Sequence, residues 1–123
     1  MKNYLAFLLL TALFQNLQAA VVTVTDQNFE VEVLQSSLPV VLKTYTNRCG
    51  ACQEFAPIFR SASNRFFNYK FAELNTANNP VVREKYKIKT VPTSILFVNG
   101  KEVARHSGFL TISKLNDFVN KLN

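Results

Sequence analysis

Cysteine and histidine are both scarce in this chain, with two Cys and one His among 123 residues. Two cysteines cannot build a disulfide-rich scaffold. With a single His they also fall short of a four-ligand zinc site within one chain. A membrane-length apolar run is missing too. Residues 5–14 (LAFLLLTALF) form a run of ten, about half of the roughly 20 residues that a span needs. Gln15, Asn16 and Gln18 interrupt it. No internal repeat, low-complexity tract or linker is visible. Acidic side chains number 8 against 14 basic ones, a formal charge of +6. That excess points weakly to anionic partners and does not make the chain a nucleic-acid binder.

What is present describes a small globular protein. The chain is 48% apolar and carries eleven Phe, unlike the polar, charge-rich composition of disordered segments. Its length allows one domain. Met1-Lys2-Asn3, the apolar run and the small residues Ala19 and Ala20 together read as a secretory signal peptide over residues 1–19, cut after Ala19 or Ala20. The remaining 20–123 is expected to be a single domain of about 100 residues, enough for one modest core. Export also places the cysteines where a disulfide persists.

Apolar periodicity predicts alternating short elements. Residues 21–25 are a β-branched run, and 26–35 place Phe29, Val33 and Leu34 at helical spacing behind Thr25 as a helix cap. Pro39 opens a second strand over 40–46. A helix follows over about 49–66, with Phe55, Ile58, Phe59, Ala62 and Phe66 on one stripe. Residues 69–74 read as a strand, and 80–86 as a short helix with Pro80 in its first turn. Strands over 94–98 and 101–106 flank Asn99-Gly100, a hairpin turn signal. A last helix, starting at Thr111 or Ser113, shows Ile112, Leu115, Phe118 and Leu122 on its apolar face. The order βαβαβαββα implies an α/β fold: a mixed central β-sheet with helices on both faces.

Cys49-Gly50-Ala51-Cys52 falls at a strand-to-helix junction. There the free N–H groups and the helix dipole favour a thiolate at Cys49, and Arg48 adds a positive charge. Cys52 lies about one turn on, within reach of a disulfide to Cys49. The outer sulfur would attack and the inner one resolve the mixed disulfide. Two alternatives stand beside redox work. The pair could be half of a metal or iron–sulfur site shared between subunits, or an inert disulfide. Val91-Pro92-Thr93 precedes an apolar strand, so Pro92 marks a turn into it.

In these residues the chain resembles the thioredoxin family. Thr25-Asp26-Gln27-Asn28-Phe29, Pro39-Val40-Val41-Leu42, Cys49-Gly50-Ala51-Cys52, Ala56-Pro57-Ile58-Phe59, Val91-Pro92-Thr93, Asn99-Gly100 and Gly108 stand in that family's order and spacing, over essentially all of 21–123. The resemblance implies a thioredoxin fold, with Cys49 as nucleophile and Cys52 as buried resolving thiol. Pro57 is then the proline that kinks the active-site helix. Pro92, behind Val91, is the cis-proline that guides an extended substrate segment. No metal or organic cofactor is implied.

The chain also departs from that pattern. Arg48 replaces the family's Trp, and Ala51 its Pro between the cysteines, beside the usual Gly50. Lys43 stands where thioredoxins keep a buried acid, and Glu73 where they place a lysine. Strand parity puts Lys43 with Val41 and Tyr45, and Glu73 with Phe71, on largely apolar strands. Each is therefore the other's natural partner, unless either side chain snorkels to water. Lys43, Glu73 and Arg48 are the expected tuners of the thiols. Arg83, Lys85, Lys87 and Lys89 form a basic cluster ahead of Val91; it reads as a rim of the substrate face or as a solvated helix face. His106 has no ligand partner in sequence.

The expected function is an exported thiol–disulfide oxidoreductase acting on cysteine-containing exported proteins. Reduction is favoured over oxidation or isomerisation, with a membrane electron donor or acceptor as a further partner. The alternative is a non-catalytic binding or chaperone module on the same fold. A monomer is expected. Lys121-Leu122-Asn123 is not an ER-retention signal, which favours a bacterial periplasm over secretion or the ER lumen.

Overall fold

In the computed structural model the described residues are 21–122, so the expected signal peptide lies outside them. Nine elements follow the expected order. They are β1 (Val22–Val24), α1 (Glu30–Leu34), β2 (Val40–Tyr45), α2 (Gly50–Ser63), β3 (Lys70–Asn75), α3 (Pro80–Lys85), β4 (Thr93–Val98), β5 (Lys101–Ser107) and α4 (Ile112–Val119). A last tight turn spans Asn120–Leu122. The sheet runs β1-β3-β2-β4-β5. β3 is parallel to both β1 and β2, whereas β4 is antiparallel to β2 and β5. Among the described residues no helix is long and apolar enough to cross a membrane.

Period-two alternation along the strands sends side chains to two cores. Val40, Leu42, Ala72, Leu74, Ile95 and Phe97 face one side, where Phe29 and Val33 of the α1 region and Val82 of α3 cover them. Val41, Phe71 and Leu96 face the other, beneath Phe55, Phe59 and Ala62 of α2 and Leu115, Phe118 and Val119 of α4. Lys43 shares the parity of Val41, so it too points under α2, where its Nζ lies over the Phe59 ring.

Local chemistry explains the boundaries. Thr25 and Asn28 exchange side-chain and backbone bonds of 3.3 and 2.7 Å, the reciprocal arrangement of a capping box. The turn that follows is wider than an α-helix, closed by Gln35 N–H on the Glu30 carbonyl at 2.8 Å. Asp26 reaches across the chain to accept the Val81 and Val82 N–H groups at 3.1 and 2.9 Å, and so caps α3. Asn99 and Gly100 both take positive φ, 50° and 77°, as a type I′ hairpin turn requires.

Three details differ from the sequence expectation. α2 stops at Ser63, so Phe66 joins its core from the following loop and not from the helix stripe. Ile112 and Leu122 are exposed, because α4 turns Leu115, Phe118 and Val119 inward. Val119 closes the face that Leu122 was expected to close.

Candidate active site

Cys49 and Cys52 are joined by a disulfide, with Cα atoms 5.1 Å apart. Cys49 is the cap of α2, and its Sγ accepts the Cys52 N–H at 3.1 Å. Gly50 and Ala51 complete the first turn and are exposed, as is Arg48. Cys49 is half-buried, but Cys52 is only 4% exposed. A partner's sulfur can therefore approach Cys49 much more readily than Cys52. Once the disulfide opens, the N–H now bound to Cys49 Sγ faces a thiolate at a helix start, the setting that stabilises sulfur anions. Pro57 lies inside α2 and brings no N–H for the Gln53 carbonyl one turn back.

The Val91–Pro92 segment stands directly against this pair. Its peptide bond is cis, and the Val91 carbonyl oxygen lies 3.7 Å from Cys49 Sγ. Three bonds hold it in place. Gly108 N–H binds the Pro92 carbonyl at 2.7 Å. The buried Thr44 hydroxyl accepts the Thr93 N–H at 3.1 Å and donates to the Thr93 carbonyl at 3.0 Å. Phe109, partly exposed, packs edge-on against Phe55 of α2 with centroids 6.0 Å apart. The disulfide is thus bordered by segments 48–52, 91–92 and 108–109.

Behind Cys52 opens a cleft of about 200 Å³, lined by Lys43, Tyr45, Thr46, Asn47, Cys52, Gln53, Ala56 and Glu73. Lys43 and Glu73 are paired, as cross-strand neighbours, with Nζ–Oε2 at 3.2 Å. Their side chains are 5% and 30% exposed, so the carboxylate meets the cleft mouth and the ammonium lies within. Lys43 Nζ also sits 5.1 Å from the Phe59 ring centroid and 5.6 Å from that of Tyr45, close enough for cation–π attraction. Burial, and after it the Glu73 charge, pushes the Tyr45 phenol above its ordinary value.

Of the residues expected at the site from sequence, Val91 and Pro92 stand against Cys49, Lys43 and Glu73 line the cleft with Cys52, Arg48, Gly50 and Ala51 adjoin the cysteines along the chain, and Pro57 lies further along α2. Pairing, and not snorkelling, is what Lys43 and Glu73 do. Sequence reasoning did not single out Tyr45, Phe59, Thr44 or Phe109. Two had a signal: Tyr45 shares Lys43's strand parity, and Phe59 lies two helical turns after Cys52. Nothing local marked Thr44. His106 is the β5 partner of Ser94, which in turn pairs with Lys43 in the sheet. Among the described residues no cluster of His, Cys, Asp and Glu could hold a metal.

The Thioredoxin family profile matches residues 20–121. The chain belongs to the thioredoxin family. Among individual relatives it is 34% identical over 99 residues to thioredoxin of Rickettsia felis, covering 80% of this chain and 94% of that protein. Thioredoxin of Acidithiobacillus ferridurans is 33% identical over 102 residues, 82% and 94% of the two chains. Thioredoxin C-2 of Corynebacterium nephridii is 28% identical over 106 residues, 85% and 98%. Membership makes this thioredoxin-family chain a thiol–disulfide oxidoreductase whose redox group is its own cysteine pair, without a cofactor.

Proposed function

We propose that the mature chain is an exported reductase of disulfides in other exported proteins. Cys49 attacks and Cys52 resolves. The supporting observation is the asymmetry of the pair: Cys49 is half-buried beside Val91 and Pro92, while Cys52 is enclosed. The Cys49 thiolate attacks one sulfur of the target disulfide, forming a mixed disulfide and releasing the other target sulfur as a thiolate. Cys52, deprotonated, then attacks Cys49 Sγ. The second target sulfur leaves and takes a proton, and the two electrons of the dithiol now reside on the target. Val91 and Pro92 present a backbone edge for the target segment. Arg48 and Lys43 favour the two thiolates, and Glu73 holds Lys43 and exchanges protons at the cleft mouth.

Reduction in an oxidising compartment requires a supply of electrons, and a membrane protein delivering them is the partner this role calls for. The amino-terminal pattern of residues 1–19 supports export, with the periplasm as destination. The test is turnover of a protein disulfide by the mature chain with a dithiol donor. Cys49→Ser should abolish it, and Cys52→Ser should trap the target on Cys49. Turnover surviving Cys49→Ser overturns the assignment. A reduction potential near about −270 mV supports a reductant, and one of about −120 to −180 mV makes the protein an oxidant or isomerase. Amino-terminal sequencing of the periplasmic protein should find the chain starting at Ala20 or Val21.

A further inference from the structure

Charge is distributed unevenly around the disulfide. Segments 46–54, 85–92 and 107–110, which carry or adjoin the Cys49 border, hold Arg48, Lys85, Lys87 and Lys89 against one carboxylate, Glu54. Residues 21–42, by contrast, contain Asp26, Glu30 and Glu32 and no Lys or Arg. Cations elsewhere are often engaged: Lys43 with Glu73, Lys70 with Glu32, Arg105 with Glu102. Arg48, Lys87 and Lys89 are exposed, and among the described residues no hydrogen bond or ion pair engages their side chains.

Their placement matters because the acceptor edge for a target is fixed. Lys89 is two residues ahead of Val91, whose carbonyl faces Cys49 Sγ. Arg48 directly precedes Cys49. A target segment that brings its cysteine to Cys49 therefore comes near Arg48, the residue before that cysteine, and Lys89, two residues before the Val91 carbonyl, with the partly exposed Phe109 as an apolar contact. Exposed cations of this kind act mainly on encounter and selection and are weakened by salt.

We propose that this rim selects target segments with acidic residues beside the reactive cysteine. The inference rests on the oxidoreductase role above and names its substrate class. The binding partner is an extended acidic peptide carrying a disulfide, held by Arg48 and Lys89.

The experiment uses two disulfide-linked peptides, identical except for Asp or Lys residues flanking the cysteines. At low ionic strength kcat/KM should be about tenfold higher for the acidic peptide, within the range of electrostatic steering. The difference should shrink towards parity as salt is raised. Lys87→Glu/Lys89→Glu should erase or reverse the preference, leaving reduction of a small uncharged disulfide unchanged. Arg48 is kept, because it also adjoins the Cys49 thiolate. Equal rates for the two peptides at low salt overturn the proposal, as does a preference that survives the double variant. A duplex DNA that inhibits as strongly as a cysteine-free acidic peptide also overturns it, by making the rim a general polyanion surface. Failure of the wild-type chain on the uncharged disulfide would strike the oxidoreductase role itself, so the two failures are told apart.

Discussion

Replacing Lys43 by Met should make the Cys49–Cys52 disulfide harder to reduce. Met keeps the length and fills the same space without charge. Lys43 and Cys52 line one cleft of about 200 Å³. A space of that volume is roughly 7 Å across, where an ammonium and a thiolate attract by about 2 kcal/mol at an effective dielectric constant of 20. Glu73, 3.2 Å from the ammonium, opposes this and leaves a net of about 1 kcal/mol. That is about fivefold in the glutathione equilibrium, or ~20 mV for a two-electron couple. The cation acts only on the anion, so the shift should be small at pH ~6 and larger at pH ~9, above the ordinary thiol value of about 8.5. Glu73→Gln should move the potential the opposite way, because it removes the opposing charge. Loss of the pair also destabilises the fold, but it does so in both redox states. Equilibration with glutathione at the two pH values reads the effect. A folded Lys43→Met protein whose potential is unchanged at the higher pH refutes the reasoning.

Three further outcomes are expected. Gly100→Ala should cost about 2 kcal/mol in urea unfolding, since φ is 77° and a Cβ would stand 2.8 Å from the Leu34 carbonyl oxygen; no loss of stability counts against that turn. Thr44→Val should cost about 1–3 kcal/mol, because the buried Thr93 N–H loses its acceptor, and unfolding of Thr44→Ser, which keeps the hydroxyl, should stay closer to wild type. Tyr45 should ionise above the ordinary pH of about 10, and Glu73→Gln should remove part of that displacement but leave the larger contribution of burial, as followed by NMR. The neutral phenol's contribution to stability is complete below the unfolded value and fades as pH rises through the folded one.

Much of this architecture was legible because single-residue chemistry enforces it. Asn99-Gly100 forms a hairpin because both residues accept positive φ, and Cys49 caps α2 because a strand ends just before it. Parity placed Lys43 and Glu73 on one face. Whether they paired or snorkelled depended on how far α2 covers that face, which is a tertiary fact. The same holds for Ile112 and Leu122: a helical stripe gives a face, but the packing partner decides how wide a strip of it is buried. Thr44 was invisible for a different reason. Its role arises because Thr93 lies opposite it in β4, 49 residues later, and no local pattern records a cross-strand partner.

The border of the disulfide is drawn from three stretches that meet only when β2, β4 and the segment after β5 are all in place. The cysteines themselves are three residues apart, so the sulfur–sulfur bond is local, while everything that guides a target to it is not. A chain folded only as far as α2 has the residues for the bond but lacks the border that guides a partner. Bond and guidance thus have different structural ranges: a chain lacking the segment after β5 loses the Gly108 N–H on the Pro92 carbonyl and with it part of the border, whereas the sulfur–sulfur bond needs only one helical turn.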